Sequence, residues 1–67
     1  MKITIDIIQK FLKKTIPDCT DVQARREYGS VEAIYVIDGK INTYRAYGFM
    51  KDFKDIDSVK TRFKMIL

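Results

Sequence analysis

Residues 22–47 contain the stretch VQARREYGSVEAIYVIDGKINTYRAY, which two turn signals divide into three runs of alternating polarity. The first signal is YGSV at 28–31, with glycine at the first central position of a two-residue type II′ turn. The second is IDGK at 37–40, whose Asp-Gly pair suits a type I′ turn. Two successive hairpins predict a three-stranded antiparallel meander over about residues 22–28, 31–37 and 40–47.

A helical pattern precedes this meander. Thr4 can cap the helix, and Asp6 in the first turn favours the positive end of the helix dipole. Because Pro17 disfavours helical geometry at the residue before it, the pattern predicts a helix over residues 5–15. Residues 1–7 also alternate between apolar and polar side chains, so a short first strand is the alternative.

A second helical pattern follows the meander. Asp55 or Asp57 can cap it, and apolar residues recur afterwards at steps of three and four. The predicted fold is therefore α+β, in the order α-β-β-β-α, with the two helices packed on one face of the three-stranded antiparallel meander. At 67 residues the chain has room for a single domain, residues 1–67, with a small core.

Tight turns fix the pairing of strands, and the pairing divides the side chains between two faces. Counting from the predicted turns sets Arg25 opposite Ile34 and Glu27 opposite Glu32, and then Ile34 opposite Thr43. One face is much more apolar, so we expect it to be buried against the helices. It collects Val22, Ala24, Tyr28, Val31, Ala33, Tyr35, Ile37, Tyr44 and Ala46.

The other face should remain open to solvent and carries the predicted contact surface. Its apolar residues are Ile34, Val36 and Ile41, which we call the aliphatic patch. An aliphatic cluster with a polar rim is typical of protein-binding surfaces. The residues predicted to bind another protein are Ile34, Val36, Ile41, Arg25, Arg45 and Glu32.

The composition argues against catalysis. With no histidine and one cysteine, Cys19, the chain has no Ser-His or Cys-His nucleophile system and no zinc site built on Cys and His. Asp52, Asp55 and Asp57 lack the glycine and terminal glutamate of a calcium loop, so helix capping explains them better. We therefore expect a non-enzymatic protein without cofactor or metal. Since no apolar run reaches about 18 residues and no secretion signal is present, we also expect it to be cytoplasmic.

Nucleic-acid binding is the main alternative. The net charge is +4, from 13 basic and 9 acidic residues, and lysines on the two helices can contact phosphates. The open sheet face is a second route to RNA or DNA, although Glu27 and Glu32 would repel phosphates there. The residues predicted for nucleic-acid binding are Lys10, Lys13, Lys14, Lys60, Lys64 and Tyr47.

Two resemblances to RNA-binding families are limited in extent. The α-β-β-β-α order resembles that of double-stranded-RNA-binding domains, but the motifs of that family are missing. Residues 45–50 (RAYGFM) are similar to the RNP1 signature of RNA recognition motifs, in which aromatic side chains stack on bases. Ala46 replaces the usual glycine, Phe53 lies one position beyond the expected last aromatic, and residues 20–28 lack a helical apolar stripe. The chain is assigned to neither family.

These observations favour a small regulator, inhibitor or adaptor that binds another protein through the open sheet face. Small inhibitors encoded by phages or other mobile elements have this kind of size and composition, which is an association and not a physical argument. Formation of a homodimer, through the sheet face or an unpaired edge strand, is compatible with a protein or a nucleic-acid partner.

Overall fold

The computed structural model describes all 67 residues and confirms the predicted α+β fold. The strands form one antiparallel sheet in the order β1-β2-β3, and single 3-10 turns follow β3 and the last helix. No helix is both long and apolar enough to cross a membrane. The elements are helix α1 (Ile5–Thr15), strands β1 (Cys19–Glu27), β2 (Ser30–Ile37) and β3 (Lys40–Tyr47), and helix α2 (Ile56–Arg62).

Helix α1 begins and ends where its capping signals predict. The Thr4 hydroxyl accepts a hydrogen bond from the Ile7 N–H at 3.2 Å, and Ile16, directly before Pro17, has extended backbone geometry. The alternative of a strand over residues 1–7 is therefore wrong. Ile8 and Leu12 are fully buried, so this helix contributes its apolar side to the core.

The core lies between the two helices and one face of the sheet. Phe63, directly after α2, is fully buried, with its ring centroid 5.8 Å from that of Tyr44 on β3 and 6.4 Å from that of Phe53. The opposite sheet face receives neither helix. The buried apolar residues are Ile3, Ile8, Leu12, Ile16, Val22, Ala24, Val31, Ala33, Tyr35, Ala46, Phe53, Val59 and Phe63.

The two hairpin turns differ in how well the sequence predicts them. Asp38 and Gly39 both have positive φ, 53° and 74°, as the predicted type I′ turn requires. The first turn instead has Tyr28 and Gly29 at its centre, because Glu27 pairs with Ser30. Gly29, with φ of 75°, thus occupies the second central position, and the predicted type II′ turn is wrong.

This difference moves the pairing of β1 with β2 by two residues. Arg25 lies opposite Glu32, where the sequence analysis expected Glu27. The observed register sets opposite charges across the strands, whereas the predicted one would set two carboxylates against each other. Because the change is an even number of residues, every strand side chain keeps its predicted face. Tyr28 is the exception, since it lies in the turn and is 95% exposed instead of buried.

Strand β1 also begins three residues earlier than predicted. Its pairing starts with Cys19 opposite Ile37, and an irregularity between Cys19 and Asp21 leaves Thr20 without a partner residue. Such a bulge inserts one extra residue into a strand and bends it. Residues 19–21, which the sequence analysis left outside the predicted first strand, are therefore part of β1.

Candidate protein-binding face

The structure brings the aliphatic patch together on the uncovered face of the sheet. Val36 on β2 pairs with Ile41 on β3, and Ile34 occupies the next row of the same face, opposite Thr43. The Ile41 side chain is 74% exposed, while Ile34 and Val36 are half-buried. The patch therefore lies towards the end of the sheet that carries the Asp38-Gly39 turn.

Four charged residues form a connected cluster beside the patch, and we call Arg25, Glu27, Glu32 and Arg45 the charge cluster. Arg25 contacts Glu27 at 2.9 Å and Glu32 at 3.0 Å. Arg45 contacts the same two carboxylates at 3.1 and 3.6 Å. Because each arginine meets both glutamates, the cluster carries no net charge, and each guanidinium group already has two carboxylate partners.

The charge cluster is suited to orientation more than to stability. Glu32 is its most buried side chain, whereas both arginines remain largely exposed at the outer strands. Exposed ion pairs typically contribute about 0.2–1 kcal/mol each, because water screens the charges. Rim charges of this kind mainly set the rate and the register with which a partner approaches.

The clefts of the molecule lie away from the aliphatic patch, which bears on the class of partner that the patch suits. Shallow clefts occur elsewhere on the molecule: beside the first turn of α2, at the Tyr28-Gly29 turn, between the N-terminal residues and Phe53, and near Asp38. No residue of the aliphatic patch lines any of them. Small molecules generally bind in concave sites, so a patch outside the clefts is better matched to a macromolecular surface.

Two of the acidic residues near α2, Asp52 and Asp55, accept hydrogen bonds from backbone N–H groups. The Asp55 carboxylate accepts hydrogen bonds from the Ser58 N–H at 2.8 Å and the Ser58 hydroxyl at 2.9 Å, which makes Asp55 the N-cap. These bonds, the backbone bond foremost, lower the pKa of Asp55 below its ordinary value. Asp52 accepts from the Phe49 N–H at 2.8 Å. Together with Asp57 they form no group of three metal-ligating side chains.

The lysines named for nucleic-acid binding are all exposed but differ in their partners. Lys10 forms an ion pair with Asp6 at 3.1 Å, one helical turn away. The other four have no carboxylate within 4.0 Å, and Tyr47, at the end of β3, is 74% exposed. Those four are Lys13 and Lys14 in the last turn of α1, Lys60 in α2 and Lys64 just after it.

One exposed aromatic pair was missed by the sequence analysis. Tyr28 meets Phe49 edge to face, with ring centroids 5.4 Å apart and an interplanar angle of 86°. The Lys51 amino group lies 5.8 Å from the centre of the Phe49 ring. The Tyr-Gly dipeptide was the available signal, because glycine at the second central position leaves the preceding tyrosine in the turn.

Comparison of the chain with protein-family models, with curated proteins and with solved structures finds no match. The two resemblances to RNA-binding families thus gain no support from whole-chain similarity. A function for this protein has to be inferred from the surfaces described above.

Proposed function

We propose that this protein binds another protein through its open sheet face and acts by covering the bound surface, as a regulator, inhibitor or adaptor does. The observation that carries the proposal is the position of Ile41, which is 74% exposed beside Val36 on a face that no helix covers. The aliphatic patch would be the anchor of the interface. The charge cluster would form its polar rim, with Arg25, Glu32 and Arg45 in contact with the partner.

The energetic reasoning follows from the exposure of the patch. Removing an exposed aliphatic side chain from water contributes about 1.5–3 kcal/mol, and Ile41 has most of its surface still to bury. Interfaces usually depend on a few such anchors surrounded by groups that exclude water. The neutral charge cluster supplies paired hydrogen-bonding groups at the rim without a net field, which would suit a partner of mixed surface charge.

A matched pair of substitutions tests this proposal. Ile41→Asp places a carboxylate in the patch, and Met65→Asp does the same at a residue that is 80% exposed elsewhere on the molecule. We expect both variants to melt like the unmodified protein, because exposed positions tolerate such changes within about 0.5 kcal/mol. Each protein would be immobilised and exposed to lysate of its source cells, with retained proteins identified by mass spectrometry.

We expect a partner retained by the unmodified protein and by Met65→Asp to be lost with Ile41→Asp. The same set of proteins retained by all three baits would contradict the proposal. Nuclease treatment of the lysate separates direct protein binding from retention through nucleic acid. A partner that disappears after that treatment would redirect attention to the lysines.

Nucleic-acid binding is the second candidate, and the four lysines without carboxylate partners favour it. It is tested by fluorescence anisotropy of labelled single- and double-stranded DNA and RNA at about 50 and about 200 mM salt. If phosphate contacts are the function, the substitutions Lys13→Glu and Lys14→Glu together should weaken binding, and affinity should fall steeply with salt. Under the protein-binding proposal we expect no tight, salt-sensitive binding to any of these nucleic acids.

A further inference from the structure

The two edges of the sheet differ in how their backbone groups are satisfied. In an antiparallel ladder, alternate residues of an edge strand bond to the neighbouring strand and the residues between them point outward. The residues that flank the two-residue turns, Glu27 with Ser30 and Ile37 with Lys40, set this alternation. Even-numbered residues of β1 and odd-numbered residues of β3 therefore present their N–H and C=O groups to the outside.

The outer edge of β1 is partly capped by side chains, at two of its outward N–H groups. The Ala24 N–H donates to Gln9 Oε1 of helix α1 at 2.9 Å, and the Val22 N–H donates to Asp21 Oδ1 at 2.9 Å. The bulge at Thr20 further disturbs the start of this edge. Side-chain caps and bulges are the devices by which proteins prevent another strand from pairing at an edge.

The outer edge of β3 lacks such protection along its middle. The outward N–H and C=O groups of Ile41, Thr43 and Arg45 have no hydrogen-bond partner in a side chain or a loop. Protection begins only at Tyr47, whose carbonyl accepts a hydrogen bond from Arg62 Nη1 at 2.8 Å. The Gly48 N–H, which returns to the Gly29 carbonyl at 2.9 Å, confirms the alternation on this side of the sheet.

We propose that two copies of this chain associate through β3, pairing antiparallel about a two-fold axis beside Thr43 to form a six-stranded sheet. Only one register uses all the open groups. A two-fold axis at Thr43 places it opposite Thr43 of the second copy and places Ile41 opposite Arg45 of the second copy. A two-fold axis nearer the Asp38-Gly39 turn would pair Arg45 with Gly39 of the second copy. An axis nearer the other end of β3 would use the outward groups of Tyr47, whose carbonyl already accepts a hydrogen bond.

The side chains suit this register, which is why the occupant is a second copy and not an unrelated strand. The central contact joins two threonines, a favourable cross-strand pair. No like charges lie directly opposite each other, because Ile41 faces Arg45, and Arg45 is already neutralised by Glu27 and Glu32. The two open faces would lie on the same side of the joined sheet. This inference does not depend on the proposed partner protein.

The test uses one row of the open face, in which Gln23 on β1 and Thr43 on β3 both flank Ile34. Thr43→Lys sets two cations opposite each other across the proposed axis, and Thr43→Glu sets two anions. Gln23→Lys adds the same charge on the partly capped strand β1 and is the matched control. Sedimentation equilibrium over about 1 μM to about 1 mM protein measures self-association, and circular dichroism checks the fold of each variant.

We expect the unmodified protein and Gln23→Lys to form a dimer with the same dissociation constant. Thr43→Lys and Thr43→Glu alone should each dimerise about fivefold more weakly or worse, since like charges opposite each other destabilise a strand pair. An equimolar mixture of the two should recover dimerisation, because unlike charges then meet. A protein that stays monomeric at about 1 mM, a dimer insensitive to Thr43→Lys, or a mixture that fails to recover would each overturn the proposal.

Discussion

The two faces of the sheet are built by alternate residues of the same strands, but one face forms the core and the other is open to solvent. In β2, Val31 and Ala33 are fully buried under the helices, whereas Glu32 and Ile34 between them lie on the open face. The covered face uses alanine at positions 24, 33 and 46, which leaves room for helices to approach closely. The fully buried residues thus lie on one face, and we expect substitutions on the other face to cost less stability.

The most direct test of this difference between the covered and the open face is to place one carboxylate on each face, at adjacent residues. Ala33→Asp buries an unpaired charge at a position that is 0% exposed, so we expect a loss of about 4 kcal/mol or more in the free energy of unfolding. Ile34→Asp, on the half-buried side of the open face, should cost about 1 kcal/mol. Urea denaturation measures the free energy of unfolding of Ile34→Asp and shows whether Ala33→Asp retains any cooperative transition.

Given the small core of a 67-residue chain, Ala33→Asp should leave no cooperative unfolding transition. If the two variants lost equal stability, the assignment of one covered and one open face would be wrong. Ile34→Asp that remains folded is also the more stringent test of partner binding, because Ile34 lies at the centre of the three strands.

A smaller effect concerns the charge cluster. In a double-mutant cycle with Arg45→Ala and Glu27→Ala, we expect a coupling of about 0.2–1 kcal/mol in unfolding free energy, reduced at about 1 M salt. The Asp6–Lys10 pair of α1 is the matched control, at a similar separation but on an isolated helical turn. Coupling well above 1 kcal/mol would contradict a mainly orienting role for the cluster.

The smallest effect we expect is on the pH dependence of stability, and it arises at the N-cap of α2 on the covered side of the sheet. Because hydrogen bonds from Ser58 lower the pKa of Asp55 in the folded protein below its ordinary value of 3.8, the charged carboxylate stabilises the fold above that pH. This contribution is lost as the pH falls through the folded pKa. The pH dependence should weaken in Asp55→Asn, which keeps a capping oxygen but cannot titrate.

Unfolding measured between about pH 5 and about pH 2 separates these proteins. Ser58→Ala should retain part of the effect, since the Ser58 N–H still donates to Asp55. Identical acid dependence in the unmodified protein and Asp55→Asn would show that other carboxylates account for the loss of stability in acid.

The success of the sequence analysis follows from which interactions are local. Helix α1 and the second turn were predicted closely because Thr4, Pro17 and the Asp38-Gly39 pair act within a few residues. The first turn was ambiguous, since Gly29 suits either central position of a two-residue loop. The pairing of Arg25 with Glu32 favours the observed register over the predicted one, and that information lies outside the turn.

The candidate site shows the same division. The aliphatic patch followed from alternation and survived the two-residue error in register, because an even shift preserves the faces. The caps on the β1 edge could not be inferred, since Gln9 reaches Ala24 only after α1 has packed on β1. The bond from Arg62 to the Tyr47 carbonyl likewise depends on the path of the chain between β3 and α2.

The consecutive order of the strands has a consequence for how fast this chain folds. Each strand pairs with its neighbour in sequence across a two-residue turn, and α1 packs mainly on β1, the element directly after it. Folding rates fall as contacting residues become more distant in sequence, because longer loops must close before any contact forms. The meander can therefore grow by adding one neighbouring strand at a time, and no long loop has to close before a strand pair forms.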